Sequence, residues 1–215
     1  MKIDVLYPLR EREQEEINLK KLLRNTRNLT ILSVMLALTI ILDSTPLGAI
    51  PLGSISATII HIPTIITGLT LGPLAGFIMG TLLGIISLIH ALTRPVTPLD
   101  PLFINPLISV LPRMFIGVVS YYVYSGLTKV IKKDSIKGSI ASLIAGIAGS
   151  LTNTGLVFLM LYLVYAQEVV EKVGVAFKTI FISVFTTNAI AEALVSAIVT
   201  TAIVTAYNNY NNKSL

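Results

Sequence analysis

The sequence contains no cysteine and no tryptophan, and it has only two histidines. Without cysteine the chain forms no disulfide, has no thiol nucleophile and holds no iron–sulfur or zinc–thiolate site. Charged residues make up 13% of the 215 residues, whereas soluble proteins carry about 25%. So few charges cannot cover a water-facing surface. Together with 53% hydrophobic residues and a mean hydropathy of +0.81, this scarcity predicts an integral membrane protein. The net charge of +5 is then explained by the bilayer, and no nucleic-acid partner is expected.

Apolar stretches follow the polar first 28 residues. A spanning helix needs roughly 20 mostly apolar residues, and the chain is predicted to be an all-α membrane protein with six transmembrane helices. The predicted spans are Leu29–Leu42, Ser54–Leu71, Pro73–Leu92, Asn105–Val130, Gly138–Tyr165 and Phe177–Tyr207. Pro63 lies inside the second span, where proline kinks or breaks a helix. Five helices with one re-entrant segment is therefore the alternative count.

The distribution of Lys and Arg predicts the orientation. Basic residues gather before the first span and between the fourth and fifth spans: Lys20, Lys21, Arg24, Arg27, Lys129, Lys132, Lys133 and Lys137. The loops on the opposite side have almost no net basic excess. Because basic loops stay in the cytoplasm, both termini are predicted to be cytoplasmic. The chain then divides into a charged tail (1–28), a six-helix membrane domain (29–208) and a short C-terminal tail (209–215).

Five glycines recur at four-residue spacing at the third predicted span: Gly68, Gly72, Gly76, Gly80 and Gly84. Small residues let membrane helices approach closely, so this row predicts a tightly packed central helix. The sequence has no P-loop or dinucleotide fingerprint and no HExxH, GxSxG or paired-aspartate motif. We therefore expect neither a cofactor nor a metal, and we do not expect an enzyme.

Polar side chains within the predicted spans indicate a binding site, because each is costly in lipid unless it faces protein or water. The candidates are His61, Arg113, Asn153, Asn188 and Glu192, which converge on the outer half of the membrane when their depths are counted along the helices. Asn105 and Tyr162 are weaker candidates. The alternative is a structural network in which Arg113 pairs with Glu192 and the amides bridge helices.

Three segments carry a family resemblance. They are Gly53-Ser-Ile-Ser-Ala-Thr-Ile-Ile-His-Ile-Pro63, Gly72-Pro-Leu-Ala-Gly-Phe-Ile-Met-Gly80 and Asn105-Pro-Leu-Ile-Ser-Val-Leu-Pro-Arg113, and they follow a small-xxx-small pair, Ser33 and Ala37, on the first span. In their order and spacing the chain resembles the substrate-binding S components of energy-coupling factor (ECF) vitamin transporters. None of these segments is diagnostic by itself.

The resemblance implies a subunit of a prokaryotic plasma membrane that captures a vitamin from outside. It implies docking on a transmembrane T component and two cytosolic ATPases, with Ser33 and Ala37 at the positions where the family has an Ala-xxx-Ala motif. It also implies that the ligand is buried under the loop Asp43–Gly53, against side chains of the later helices, among them Arg113, Asn153, Asn188 and Glu192.

Pantothenate is the expected vitamin. Arg113 in a partly dry pocket favours a carboxylate, and asparagine amides suit hydroxyls and amides. The absence of tryptophan speaks against a ligand such as thiamine that is held by ring stacking. The HIP and LPR segments also resemble the pantothenate-type members. Riboflavin or another small vitamin precursor is the alternative ligand.

A purely structural membrane subunit is the alternative of a different class. A transporter that works alone would need an inverted repeat, which the sequence does not show.

Overall fold

The computed structural model describes residues 22, 24–52, 55–95, 99–131, 134–173, 182 and 188–213. Within these residues the protein is helical apart from one two-stranded hairpin. The elements in chain order are α1 (Thr26–Ser44), a 3-10 turn (Pro46–Gly48), β1 (Ala49–Leu52), β2 (Ile55–Thr58), α2 (Ile62–Leu71), α3 (Pro73–Thr93), a 3-10 turn (Asp100–Ile104), α4 (Pro106–Ser109), α5 (Leu111–Val130), α6 (Asp134–Val173) and α7 (Ile190–Lys213).

Among the described residues, five helical segments are long and apolar enough to cross a membrane, which makes the chain a multi-pass membrane protein. These segments are Thr26–Ser44, Pro73–Thr93, Pro106–Val130, Ile136–Gln167 and Ile190–Asn211. The prediction of six full-length spans is therefore wrong at the second span. Most of the tail 1–28, the residues 214–215 and the start of the sixth predicted span at Phe177 lie outside the described residues.

The second predicted span, Ser54–Leu71, is replaced by strand β2 and the ten-residue helix α2. Pro63 stands in the first turn of α2, where its missing N–H costs nothing, so the helix begins there instead of running through the proline. The preceding stretch is rich in β-branched residues and pairs as a strand. In the antiparallel hairpin Ala49 lies opposite Thr58, and Leu52 lies opposite Ile55.

Helix α2 ends at Leu71 and α3 begins at Pro73. Gly72, between them, has a φ of 100°. Glycine adopts this conformation without strain. The turn brings Gly68 and Gly76 together, because a Cβ on Gly76 would lie 3.0 Å from the Cα of Gly68. Helices α2 and α3 are therefore antiparallel, and nearly all of α2 is buried inside the bundle.

Backbone contact at glycines joins α3 to α5. A Cβ on Gly76 would lie 3.0 Å from the Cα of Gly117, and one on Gly80 would lie 2.1 Å from the carbonyl oxygen of Arg113. A Cβ on Gly84 would meet the Cα of Val110 at 2.5 Å. We call this contact, between Gly76, Gly80 and Gly84 of α3 and the backbone of α5 with the residue before it, Val110, the glycine seam. The predicted close packing is confirmed, but the row is not one groove on one helix.

Helix α7 returns to the starting end of the bundle. Arg27, near the start of α1, donates a hydrogen bond to the side chain of Asn211 and lies over the ring of Tyr207, 5.5 Å from its centroid. The start of α1 and the end of α7 therefore lie on the same side. The hairpin and the start of α7 lie at the opposite end, because Thr58 contacts Glu192.

Candidate binding site

A stripe of polar side chains runs into the bundle along α7. Asn188, Glu192, Ser196 and Thr200 follow one another at four-residue spacing and are 5%, 6%, 0% and 0% exposed. Residues four apart share a face of a helix, and here that face points inward. Asn188 itself lies in a short π turn just before α7. The sequence predicted the first two residues of this stripe, and the structure confirms that both are buried.

Glu192 joins three elements. Its Oε1 accepts hydrogen bonds from the backbone N–H of Thr58, at 2.7 Å, and from the hydroxyl of Thr58, at 3.0 Å. Its Oε2 accepts from the hydroxyl of Thr154 on α6, at 3.3 Å. The carboxylate therefore ties the hairpin and α6 to the first turn of α7. The sequence did not predict either threonine.

His61 caps the start of α2 and is 2% exposed. Its Nε2 lies 2.9 Å from the hydroxyl oxygen of Ser196, one turn below Glu192. Its Nδ1 is buried and has no hydrogen-bond partner among the described residues. The imidazole is thus held at one nitrogen and offers the other to a ligand or to water.

Arg113 lies in the first turn of α5, where Gly80 packs against its backbone. The guanidinium donates to the carbonyl oxygen of Ile108 and lies over the ring of Phe103, 5.0 Å from its centroid. No carboxylate among the described residues pairs with it. The pair that the structural alternative required, Arg113 with Glu192, is not formed.

Asn153 lies on α6 beside Thr154, so it stands next to the residue that binds Glu192. Its Oδ1 is buried without a hydrogen-bond partner among the described residues. The hydroxyls of Thr64, Ser150 and Thr200 share this condition. Buried polar groups in proteins are nearly always hydrogen-bonded to protein or to water. Unpaired groups on α2, α6 and α7 therefore indicate a region built to contact something other than the chain itself.

Asn105 caps α4, with its Oδ1 accepting from the backbone N–H of Leu107 at 3.0 Å. Its Nδ2 donates to the hydroxyl of Tyr165 at 3.3 Å. Tyr162, the predicted tyrosine, is 58% exposed. Helix α6 is kinked at Tyr165, whose φ and ψ are −134° and 26°. The structure therefore turns Tyr165 inward to Asn105 and leaves Tyr162 on the outside.

A second ionic cluster fixes the loop that precedes the hairpin. Asp43, near the end of α1, accepts a hydrogen bond from Arg94 at 2.9 Å and lies 3.0 Å from Nδ1 of His90. His90 and Arg94 stand at the end of α3. The ends of α1 and α3 are thereby joined on the side of the membrane where the hairpin lies.

The arrangement suits binding rather than catalysis. It combines one guanidinium without a carboxylate partner, one imidazole bonded at a single nitrogen and one amide oxygen without a partner, all stated of the described residues. Among the described residues no group of three His, Asp or Glu side chains could hold a metal ion. These groups match a small polar ligand that carries an anionic group and hydrogen-bond donors.

The sequence was compared with models of known protein families. A family model described as "ECF transporter, substrate-specific component" matches residues 27–204, well over half of the 215 residues. Proteins of this family are substrate-binding subunits of transporters and not enzymes. A comparison with curated proteins gave no match. The chain belongs to the family of substrate-specific components of ECF transporters.

Proposed function

We propose that this chain captures a vitamin, pantothenate, from outside the cell for an ATP-driven importer. One observation carries the proposal: Arg113 is a cation with no carboxylate partner among the described residues. The buried Nδ1 of His61 and Oδ1 of Asn153 also lack hydrogen-bond partners within the described part of the chain. A carboxylate is the anion that a guanidinium binds best through two parallel hydrogen bonds. Family membership supports the wider class, a small-molecule substrate and transport.

Pantothenate supplies the matching groups. Its carboxylate would bind Arg113, and its two hydroxyls and amide would bind Asn153, Asn188 and His61. The Oδ1 of Asn153 accepts hydrogen bonds, while the Nδ1 of His61 donates or accepts according to its tautomer. Asn105 and Tyr162 belong to the proposed site as predicted residues. Tyr165 is a better candidate than Tyr162, because it is turned toward Asn105.

Partner docking belongs to the same proposal. Ser33 and Ala37 are both exposed on α1, a helix of which Thr39 alone is buried. Small residues on a lipid-facing helix allow another helix to approach closely. We propose that this face meets the transmembrane T component, with two cytosolic ATPases supplying the energy. The cytoplasmic placement of both termini is supported by the basic residues before the first span and between the fourth and fifth predicted spans, and by the contact between Arg27 and Asn211.

The vitamin is tested by thermal stabilisation of the purified chain in detergent against a panel of B vitamins. A ligand present at a hundred times its Kd adds about 2.7 kcal/mol to the native state. Stabilisation by pantothenate alone supports both class and substrate. Stabilisation by riboflavin or another vitamin keeps the class and contradicts the argument from Arg113. A folded sample that no vitamin stabilises favours the structural subunit.

Docking is tested with Ser33→Leu in cells that carry the complete transporter. The added bulk should separate the helices and abolish uptake, while vitamin binding to the purified chain stays unchanged. Ser33→Ala is the matched control, because it keeps a small side chain and should keep uptake. Uptake that survives Ser33→Leu would contradict docking at this face.

A further inference from the structure

The guanidinium of Arg113 has two contacts in the described part of the chain, and neither is an ion pair. It donates a hydrogen bond to the carbonyl oxygen of Ile108, and it lies over the ring of Phe103, 5.0 Å from the ring centroid. A guanidinium has five N–H donors. The others therefore have no oxygen partner among the described residues and can donate to a ligand.

The contact with Phe103 holds the guanidinium without neutralising it. A cation within about 6 Å of an aromatic centroid is attracted by the negative face of the ring, and the attraction is stronger where water is partly excluded. Both residues are half-buried here. A carboxylate in the same place would cancel the charge of Arg113 and occupy its N–H donors, whereas the ring carries no formal charge. The positive charge is thus kept for an anionic ligand.

One apolar cluster supports both partners of the guanidinium. Its buried members are Leu102, Ile108, Val157 and Leu161. Ile108, whose carbonyl oxygen accepts from Arg113, is 0% exposed, and Phe103 is partly buried against the same cluster. Side chains in such a close-packed interior keep one arrangement. The ring and the carbonyl oxygen are therefore held in place by packing and need no ligand to fix them.

The short turns between α3 and α5 bring Phe103 back to Arg113. Phe103 lies in the 3-10 turn Asp100–Ile104. Arg113 lies in the first turn of α5, where its N–H bonds to the carbonyl oxygen of Val110 at 3.1 Å. An extended chain of ten residues would span about 33 Å, yet the two side chains are in contact. The contact thus depends on how this segment folds, which the spacing in the sequence does not reveal.

We propose that Phe103 is a positioning residue: its ring, together with the carbonyl oxygen of Ile108, fixes the guanidinium of Arg113 so that the remaining N–H donors receive the anionic group of the substrate. A site that already holds the productive rotamer loses less side-chain freedom on binding. The inference rests on the proposed function in one respect, that the substrate carboxylate binds Arg113. It adds that the affinity for this carboxylate depends on a side chain that has neither a charge nor a hydrogen-bonding group.

Selectivity between two ligands separates positioning from general packing. The first ligand is pantothenate, and the second is its alcohol analogue, in which a hydroxymethyl group replaces the carboxylate. In Phe103→Leu the guanidinium is released to other rotamers and must be fixed again on binding. The affinity for pantothenate should therefore fall about fivefold, the strength of a cation–π contact, while the affinity for the alcohol stays as in the parent chain. Both are measured by competition against radiolabelled pantothenate, with the purified full chain in detergent.

Two further variants serve as controls. Phe103→Tyr keeps the face of the ring and should keep the parent affinity for pantothenate. Tyr207→Leu removes an equivalent contact at the other end of the bundle, where Arg27 lies 5.5 Å from the centroid of Tyr207. That variant should leave the ratio of the two affinities unchanged. If the alcohol binds too weakly to compete, loss of pantothenate affinity in Phe103→Leu with recovery in Phe103→Tyr supports the proposal, and equal loss in both variants overturns it.

Stability gives a second measurement that needs no ligand. Unfolding in detergent is compared for the parent chain, Phe103→Leu, Arg113→Gln and the double variant. If the ring holds the guanidinium, Phe103→Leu should lower the folding equilibrium constant about fivefold less in the Arg113→Gln background than in the parent chain. The lost packing of Phe103 is common to both backgrounds and cancels. Should Phe103→Leu not fold, Phe103→Met takes its place, because methionine is apolar and adapts to irregular space.

Two results would overturn the proposal: an equal loss of affinity for both ligands in Phe103→Leu, and additive effects of the two changes on stability. Failure of the proposed function looks different. If the parent chain does not bind pantothenate, the choice of vitamin fails, and the stability cycle still decides whether Phe103 holds Arg113. If the parent chain binds pantothenate and the two changes are additive, the vitamin stands and the role of Phe103 fails.

Discussion

The glycine seam differs from the polar region, by which we mean the buried polar side chains of α2, α6 and α7, in how its buried polar groups are hydrogen-bonded. In and beside the seam, α3 and α5 touch backbone to backbone, and the neighbouring hydroxyls of Thr81 and Ser120 bond to carbonyl oxygens four residues earlier in their own helices. In the polar region the hydroxyls of Thr64 and Ser150 have no partner among the described residues. Among the described residues, the two hydroxyls beside the seam are thus paired, whereas some hydroxyls of the polar region are not.

The difference separates scaffold from site. A contact that leaves no room for a Cβ cannot rearrange, whereas unpaired polar groups are costly unless a ligand or water meets them. Arg113 belongs to the seam through its backbone and to the candidate site through its side chain: its carbonyl oxygen lies against Gly80, and its guanidinium donates to the carbonyl oxygen of Ile108. We infer that the seam fixes the backbone from which the site reaches its substrate. Three substitutions test this difference.

The largest effect is expected at the seam, for Gly80→Ala. The new Cβ would lie 2.1 Å from the carbonyl oxygen of Arg113, a backbone atom that cannot move alone. Overpacking of this kind should lower the free energy of unfolding by about 2–3 kcal/mol, measured by thermal or denaturant unfolding in detergent. Gly126→Ala is the control, because nothing lies within 4 Å of its Cβ; alanine there should be stabilising. Equal stability of the two variants would contradict the seam.

A smaller effect, confined to binding, is expected for Arg113→Gln. Loss of a charged partner for the substrate carboxylate should weaken pantothenate binding by about 1.5–3 kcal/mol, measured by equilibrium binding of the radiolabelled vitamin. Folding should be retained, because no carboxylate among the described residues loses its partner. Arg113→Lys keeps the charge and should recover part of the affinity. Unchanged affinity in Arg113→Gln would show that the carboxylate binds elsewhere.

The smallest effect on stability is expected for Asn153→Ala. Its Oδ1 has no partner among the described residues, so the free energy of unfolding should change by less than about 1 kcal/mol, while vitamin binding is lost. Asn208→Ala is the opposite control: Asn208 donates to the hydroxyl of Tyr124 at 3.1 Å, at the other end of the bundle. That variant should lose stability and keep its affinity. The structural-subunit alternative predicts instead that Asn153→Ala destabilises the chain and that no vitamin protects it.

Much of the fold followed from hydrophobic length and from proline and glycine. The long helices agree with the sequence, and the predicted fifth span ends at Tyr165, where α6 is kinked and then continues to Val173. The break between α4 and α5 is explained by Pro112, because proline is tolerated in the first turn of a helix but not in its interior. The error at Ser54–Leu71 arose because apolar content alone does not distinguish a spanning helix from a strand followed by a short buried helix.

The sequence revealed those candidate site residues whose side chains have a high free energy of transfer into lipid. It did not reveal those whose side chains enter lipid at little cost. His61, Asn188 and Glu192 stand out in apolar sequence, and all three are buried. Thr58, Thr154 and Ser196 do not stand out, because serine and threonine are common in membrane helices. Their roles depend on contacts between residues far apart in the chain, which no local pattern reveals.

Because α2 is short, its insertion into the membrane depends on α3, which is synthesised after it. Ten residues span about 15 Å, half of the bilayer core, so α2 cannot enter the membrane alone and must be carried in by α3 through the turn at Gly72. The strand that precedes α2 meets its anchor only when Glu192 has been made, 134 residues after Thr58. At ordinary synthesis speeds of about 5–20 residues per second, that delay is roughly 7–27 s. During this interval the contact between Thr58 and Glu192 is absent, at the end of the bundle where we propose that the substrate binds.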